Sequence, residues 1–161
     1  MSEILFRGKR LDNGEWVDGN FYESGISGAY ILQKVTRKTV DAKTGEITMR
    51  DEPVPFEIDP FTVGQYTGLK DKNGKRIFEG DIVRFAWEHF VLSSPGGYFV
   101  YPSGTVFKVG CLESGYMLCR TDDNSSAPNA NGKVTNYNFW NFQRGFEIIG
   151  NIHDNPEFLE K

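Results

Sequence analysis

The sequence predicts an all-β protein, built mainly from antiparallel hairpins, with a small barrel-like or SH3-like C-terminal half and one short C-terminal helix. Aromatic residues make up 14% of the chain, and 18 of its 161 residues are glycine. This combination is typical of short strands joined by glycine-containing turns. Two Asn-Gly dipeptides, Asn13-Gly14 and Asn73-Gly74, lie between strand-like runs, and each predicts a β-hairpin.

The first half, residues 1–60, is predicted to be a subdomain of β-hairpins. Its first hairpin turns at Asn13-Gly14, where a two-residue loop would place Lys9 opposite Asp18. The hairpin itself is a firmer expectation than this register, because the same loop also opposes two acidic residues, Asp12 and Glu15.

A longer strand is predicted next, over residues 29–40, which are rich in Val, Thr, Ile and Tyr. A corner at Lys43-Thr44-Gly45 should return it to a strand beginning at residue 47. Three prolines, Pro53, Pro55 and Pro60, then remove backbone donors that a central strand needs. We therefore expect a break there and place the boundary between the two subdomains after residue 60.

The second half, residues 61–161, is predicted to be a β-barrel-like subdomain packed with the first half as one compact unit. A two-residue loop in its central hairpin would oppose Lys72 and Lys75, which carry like charges. A three-residue loop with Gly74 in the left-handed conformation instead opposes Asp71 and Lys75. We expect the three-residue loop.

An acidic corner, Glu79-Gly80-Asp81, follows this hairpin. Its carboxylates are interpreted as caps that accept hydrogen bonds from backbone amides, with metal ligation or general-base chemistry as the alternative. Further strands are predicted at residues 82–88, 105–108, 116–120 and 146–149. The short C-terminal helix is predicted from Asn155-Pro156-Glu157, an N-cap residue followed by proline and an acidic first turn.

Composition limits the possible environments and partners. The formal net charge of −4 and a pI near 5.2 argue against a surface built throughout for phosphate backbones. The two cysteines, Cys111 and Cys119, are too few for a disulfide framework and are expected to be free thiols, facing each other in a hairpin centred on Gly115. Without a bilayer-length apolar run or a signal-peptide core, we expect the protein in the cytoplasm.

No catalytic constellation is recognisable, so the chain is expected not to be an enzyme and to need no cofactor or metal. Only His89 and His153 could serve as imidazole bases. With the two cysteines they could make a zinc site only if all four converged, since the spacing of the cysteines is not that of a zinc motif. A metal-dependent hydrolase using Glu79, Asp81 and His89 is the remaining catalytic alternative.

Nucleic-acid binding is a stronger alternative, because small β-barrels bind single strands with basic grooves and aromatic platforms. The candidate surface consists of Lys70, Lys72, Lys75, Arg76, Arg84 and Trp87. A second basic run is Lys34, Arg37 and Lys38 on the long strand. The competing interpretation, which we favour, is that these cations only lie on solvent-exposed strand faces and that the aromatic residues fill a core.

Four stretches of the chain resemble the YopX protein family, small proteins carried mainly by bacteriophages and prophages. They are EILFRGKRLDNGEWVDGNFY, TVGQYTGLKDKNGKRIFEGDIVRF, VFKVGCL and FEIIGNIHDNPEFL. The second is the most specific, and the resemblance implies a structural role for its Gly64, Tyr66, Thr67, Gly68, Asn73, Gly74, Glu79, Gly80 and Asp81. It also implies a mostly β fold, members that form oligomers, and no established activity. Residues 88–102 and 122–134 depart from the resemblance as long inserts.

Together these observations predict a non-catalytic phage or prophage accessory protein that acts through protein–protein interaction or self-assembly. Its expected partners are further copies of itself and a host or phage protein, without membrane association. The absence of a catalytic constellation, the many aromatic residues and the candidate exposed strand edges motivate this expectation.

Overall fold

The computed structural model describes residues 4–25, 28–87, 89–94, 97–112, 115–120 and 143–159. These residues are mostly in antiparallel β-strands, which confirms the predicted fold class. The chain divides into two compact units, Met1–Gln65 and Tyr66–Lys161. In the described residues no helix is both long and apolar enough to cross a membrane.

Four strands build the first unit: β1 (Phe6–Arg10), β2 (Trp16–Ser24), β3 (Gly28–Val40) and β4 (Ile47–Lys70), whose last residues belong to the second unit. Neighbours in the chain pair antiparallel, and β4 also pairs with β1, so the pairings close a circuit. Closure of this circuit in the first half was not predicted from the sequence.

The core of the first unit is a small apolar cluster inside this circuit. Val17, Ala29, Ile31 and Ile58 are buried, and Phe6, Phe21, Phe56 and Val63 pack against them. All four buried residues lie on strands that each pair with two neighbouring strands. Burial of this apolar surface is the main stabilising contribution to the unit.

The predicted register of the first hairpin is wrong, although the hairpin itself forms. Lys9 pairs with Trp16, not with Asp18, because the loop has four residues instead of two. Arg10 closes the loop by donating its backbone N–H to the carbonyl of Glu15 at 2.9 Å. The Arg10 guanidinium also donates to the carboxylate of Asp12 at 2.9 Å, which favours the longer loop.

The prolines do not break the strand, contrary to the sequence prediction. Pro53 pairs with Lys34 and Pro55 with Leu32 within continuous β4. Counted from the hydrogen-bonded pair Asp41–Glu46 that closes the turn, both fall in non-hydrogen-bonded pairs. Their missing N–H groups therefore face away from β3, and no ladder bond is lost. Pro60 lies in a bulge where β4 changes register against β1.

The second unit contains the end of β4 and seven further strands: β5 (Arg76–Phe78), β6 (Asp81–Phe85), β7 (His89–Ser94), β8 (Gly97–Pro102), β9 (Val106–Leu112), β10 (Gly115–Arg120) and β11 (Phe146–Asn151). One sheet has the order β10-β9-β6-β11, and β7 pairs with β8 as a separate hairpin. The insert 88–102 is thus largely this hairpin, whereas the insert 122–134 lies outside the described residues, as does the predicted polar loop at 121–133.

The central hairpin has the predicted three-residue loop. The Asp71 N–H donates to the Lys75 carbonyl at 2.8 Å, and Gly74 has φ +81°. The Asp71 side chain does not pair with the Lys75 ammonium as expected, because it is buried and accepts backbone amides instead. Leu69 and Ile77, on either side of the loop, enter the core of this unit with Val83, Phe85, Phe107, Val109, Leu118 and Phe146.

Two C-terminal expectations need correction. The short helix is a single 3-10 turn, Pro156–Phe158, and the Asn155 side chain does not cap it. Instead, Asn155 Oδ1 accepts the N–H of Asn151 at 3.3 Å. The cysteine positions are also not opposite each other, because the β9–β10 register pairs Cys111 with Tyr116 and Cys119 with Lys108.

Candidate interaction surface

The β3–β4 hairpin extends well past the strands that flank it. On one side β2 pairs with β3 only as far as Leu32, and on the other β1 pairs with β4 only from Ile58 onward. Residues 33–54 therefore form a two-stranded ribbon, which we call the arm. Every residue from 36 to 51 is exposed, so the outer part of the arm has no packed face among the described residues.

Backbone and side-chain bonds order the tip of the arm. Asp41 Oδ1 accepts the amides of Lys43 at 2.8 Å and Thr44 at 2.9 Å. Bonds from these amides, Thr44 first, lower the pKa of the Asp41 carboxyl. Gly45 provides the left-handed residue, with φ +70°, that returns the chain. A turn specified by this many local bonds is preformed without support from a core.

Charged pairs link the two strands of the arm. Lys34 Nζ lies 3.1 Å from a carboxylate oxygen of Asp51, and Arg37 Nε lies 3.3 Å from one of Glu52. The Thr36 hydroxyl donates to Asp51 at 2.7 Å, and this bond, followed by Lys34, lowers the pKa of Asp51. These exposed pairs fit the strand register but contribute little to stability.

The two faces of the arm differ in chemistry. Because paired residues in antiparallel strands share a face, Val40, Ile47 and Met49 lie together near the tip, beside Lys38. The three apolar side chains are 55%, 55% and 65% exposed. The opposite face carries Arg37 and Arg50, directly across from each other. Three large apolar side chains at the end of an ordered ribbon are a feature of contact surfaces.

The predicted nucleic-acid residues lie in the second unit. Lys70 and Arg76 form a cross-strand pair, and Arg76 stacks over the Tyr66 ring at 5.8 Å. Trp87 is 46% exposed, with its ring edge-on to Phe85. Lys72, Lys75 and Arg84 are exposed. All five basic residues of this set are therefore on the surface.

One carboxylate draws two of these cations together. Lys72 Nζ and an Arg84 guanidinium nitrogen lie 3.0 and 2.9 Å from the same oxygen of Glu147. The hydrogen bond from Arg84 and then that from Lys72 lower the pKa of Glu147. Glu147 thus offsets part of the positive charge that phosphate binding needs.

Most residues of the most specific motif take part in backbone geometry. Gly68, Gly74 and Gly80 have φ values of +82°, +81° and +81°, which side-chain-bearing residues rarely adopt. The Thr67 hydroxyl donates to the Ile77 carbonyl at 2.7 Å and accepts the Leu69 amide at 3.2 Å.

The remaining motif residues pack or lie at pairing positions. Gly64 is buried opposite Arg7 in β1, and Tyr66 packs on Phe78 with ring centroids 5.4 Å apart. Asn73 lies in the central loop, where its backbone N–H donates to Asp71 Oδ1 at 2.8 Å.

The acidic corner shows the capping geometry that the sequence suggested for Asp81. This carboxylate is 1% exposed, and Oδ2 accepts the Phe78 amide at 2.8 Å. Glu79 is half-buried. Within the described residues no group of three or more His, Cys, Asp and Glu side chains is arranged to bind a metal. His153 is exposed, with its N–H donated to Asn151 Oδ1 at 2.9 Å, and the side chain of His89 lies outside the described residues.

Sequence reasoning recognised the basic run on β3 but missed the arm. The available signal was the pattern after residue 32, where polar residues occupy both faces of both strands. A strand with one buried face alternates apolar and polar residues. Loss of that alternation over both strands of one hairpin indicates a ribbon without a packed face.

The fold and the arm define a class of protein: a two-unit antiparallel β protein that presents an ordered, exposed β-ribbon. The YopX protein family matches residues 5–160, nearly the whole chain, and the chain belongs to this family. It is also similar to the crystal structure of protein EF1440 from Enterococcus faecalis, with 20% identity and a TM-score of 0.49 over 99% of this chain and 100% of that one. No curated protein matches the chain.

Proposed function

We propose that this chain is a non-catalytic phage or prophage accessory protein that acts in the host cytoplasm by binding a host or phage protein or further copies of itself, with the arm as its contact element. One observation carries the proposal: sixteen consecutive exposed residues, 36–51, form an ordered hairpin. Membership of the YopX family is compatible with such a role.

The arm has no evident task in folding. None of its buried or half-buried residues belongs to the apolar cluster of the first unit, whose members on β3 and β4 are Ala29, Ile31, Phe56, Ile58 and Val63. Ordering a residue costs about 1–2 kcal/mol in backbone entropy. A ribbon with no core beneath it gains little burial in return, so a contact made elsewhere is the natural reason for its length.

The tip supplies the kind of surface that a partner can bury. Val40, Ile47 and Met49 lie on one face, and flexible methionine side chains adapt to varied apolar surfaces. The long charged side chains around them provide a polar rim. Interfaces commonly combine an apolar centre with such a rim.

The test is an arm-deleted variant, in which an Asn-Gly turn replaces residues 36–51 and joins Val35 to Glu52. This junction suits a two-residue loop because Val35 and Glu52 form a hydrogen-bonded pair in the ribbon. The tagged native and arm-deleted proteins are used to capture partners from a lysate of the native cell, and light scattering measures self-association. We expect both interactions to be lost or strongly weakened on deletion.

The matched control is Phe61→Ser, which removes a side chain that is 89% exposed but lies outside the arm. It should capture the same partners as the native protein. If the arm-deleted protein folds, self-associates and captures partners as the native protein does, the proposed role of the arm is wrong.

Nucleic-acid binding is a second candidate, favoured by the exposure of Lys70, Lys72, Lys75, Arg76 and Arg84 in the second unit. Such binding should weaken steeply with salt. Fluorescence anisotropy with a single-stranded oligonucleotide at low salt tests it, using Lys75→Glu against the charge-matched Lys43→Glu in the arm. Equal affinities for the two variants, or no binding at high micromolar protein, would remove this candidate.

A further inference from the structure

We infer that the outer edge of β3 in the arm binds an extended acidic segment of a partner protein as an added β-strand. This inference rests on the proposed function and names the chemistry of the partner. The edge begins after Leu32, where the pairing of β3 with β2 ends. From Lys34 to Val40 no described residue pairs with β3 on this side.

Bonded and non-bonded residue pairs alternate along the ribbon, and this alternation determines which backbone N–H and C=O groups the outer edge of β3 exposes. Asp41 and Glu46 form a hydrogen-bonded pair, so bonded and non-bonded pairs alternate from there along the arm. The residues of β3 in non-bonded pairs are Lys34, Thr36, Lys38 and Val40. Their N–H and C=O groups point outward, which gives four consecutive positions for an added strand.

The opposite edge of the arm is much less suited to this. The same alternation turns Met49, Asp51, Pro53 and Pro55 of β4 outward. Proline has no N–H to donate, so an added strand would lose two of its bonds there. The arm therefore offers one competent edge, that of β3.

The charge of β3 indicates the partner. Residues 28–40 contain Lys34, Arg37 and Lys38 and no acidic residue. Lys34 and Lys38 lie on one face and Arg37 on the other, so carboxylates on either face of an added strand would meet a cation. Lys38 makes no ion pair with any residue that the structure describes, and the exposed pairs of Lys34 and Arg37 can exchange partners at little cost.

A second copy of the same edge is a poor occupant. Two β3 edges related by a two-fold axis through Arg37 would place the two guanidinium groups directly opposite each other. The β4 edge of another copy is interrupted by its prolines. An acidic segment from a different protein satisfies the backbone groups and the charge together.

The experiment uses fluorescence anisotropy with a fluorescein-labelled ten-residue peptide of alternating glutamate and valine, and the full-length protein at low salt. We expect the glutamate–valine peptide to bind the native protein saturably and a lysine–valine peptide of equal length not to bind it. Thr36→Pro, which removes an outward N–H, should weaken binding at least tenfold. Met49→Pro is the matched control, because it places proline at an outward position of the other edge, and it should change affinity less than twofold.

A second pair of variants avoids any change in the backbone. Lys38→Glu and Lys43→Glu alter net charge equally, but only Lys38 lies on the proposed edge. We expect at least tenfold weaker binding for Lys38→Glu and less than twofold for Lys43→Glu. Equal effects within either pair, equal binding of the lysine–valine peptide, or a single-stranded oligonucleotide that competes with the acidic peptide would overturn the inference.

Absence of peptide binding also contradicts the proposed role of the β3 edge. The arm deletion then distinguishes failure of this inference from failure of the proposed function. If the arm-deleted protein still loses its captured partners, the arm binds them in another way and only the present inference fails. If the deletion changes nothing, the proposed function fails as well.

Discussion

At the residue scale, the buried Asp71 carboxylate connects two parts of the second unit that are far apart in the chain. It is 5% exposed and accepts the amides of Asn73 at 2.8 Å and Lys75 at 2.9 Å within its own loop. Its other oxygen accepts the amide of Ile148 at 3.2 Å, from a strand far along the chain. One carboxylate thus fixes the hairpin loop and links it to β11.

Replacing Asp71 with asparagine should destabilise the protein by about 1–3 kcal/mol. The side-chain NH₂ of asparagine is a donor, so it would face one of these backbone N–H groups and leave that N–H without an acceptor. Thermal or urea unfolding measures the change. Asp12→Asn, on the exposed carboxylate of the first hairpin, is the matched control and should leave the midpoint nearly unchanged. An Asp71→Asn protein as stable as the native one would show that these bonds do not stabilise the fold.

A second prediction at this scale concerns the pKa of Asp51 on the arm. The Thr36 hydroxyl, more than Lys34, lowers the pKa of this carboxyl, so Thr36→Val should move it back toward its ordinary value of about 3.9. NMR titration of the carboxyl carbon measures this. Thr39→Val, on the other face of β3, should leave the pKa unchanged.

The sign of the pH effect follows from the lowered pKa. The ionised carboxyl is favoured in the folded ribbon, so its contribution to arm stability is present above the ordinary pKa and is lost as pH falls through the lowered one. We expect the strand signals of the arm to weaken in that acidic range. A pKa of Asp51 that does not respond to Thr36→Val would mean that the hydroxyl bond is not formed in solution.

At the element scale, Gly19 allows β2 to lie close to the backbone of β3. A Cβ at this position would overlap the backbone carbonyl of Leu32, which cannot move without disturbing the ladder. Gly19→Ala should destabilise the first unit by about 1–3 kcal/mol, as overpacking does in cores. Gly25→Ala is the control, because nothing lies within 4 Å of its Cβ position. Equal unfolding midpoints for the two variants would contradict this packing.

The arm itself predicts an alternating pattern of hydrogen exchange. Amides of Val35, Arg37 and Thr39 bond to β4, whereas those of Thr36, Lys38 and Val40 point outward. Exchange measured by NMR should therefore be slower at the first three positions than at the second three. Uniform protection would indicate that the outer edge is already paired, and uniform fast exchange would indicate that the ribbon is not formed.

Local turn chemistry made much of this architecture predictable. Asn73-Gly74 with Asp71 two residues before it specifies a three-residue loop, and Gly45 specifies the return of the arm, because each depends on backbone conformations set within a few residues. The register of the first hairpin was not predictable in the same way. Asn13-Gly14 fits both a two-residue loop and the observed four-residue loop, which the backbone bond from Arg10 to Glu15 closes.

The prolines and the arm were missed for a different reason. Whether a proline interrupts a strand depends on which edge its nitrogen faces, and that phase is fixed by the turn at Asp41–Glu46. The exposure of residues 36–51 follows from where β1 and β2 stop pairing, and its signal in the sequence is the loss of apolar–polar alternation after residue 32. Both are properties of neighbouring elements.

At the scale of the whole molecule, both apolar clusters lie outside the outer part of the arm. Each compact unit has its own buried cluster, and neither cluster includes a residue between 36 and 51. Removing those residues should therefore leave both cores intact. We expect the arm-deleted protein to retain its strand content by circular dichroism and to unfold within a few degrees of the native protein.

The most direct measurement of the central claim is quantitative capture from lysate by the native, arm-deleted and Phe61→Ser proteins at equal loading. The account predicts that specifically captured protein falls at least tenfold on arm deletion, is unchanged by Phe61→Ser, and resists nuclease treatment. Full capture by a folded arm-deleted protein, or capture that nuclease abolishes, would contradict it.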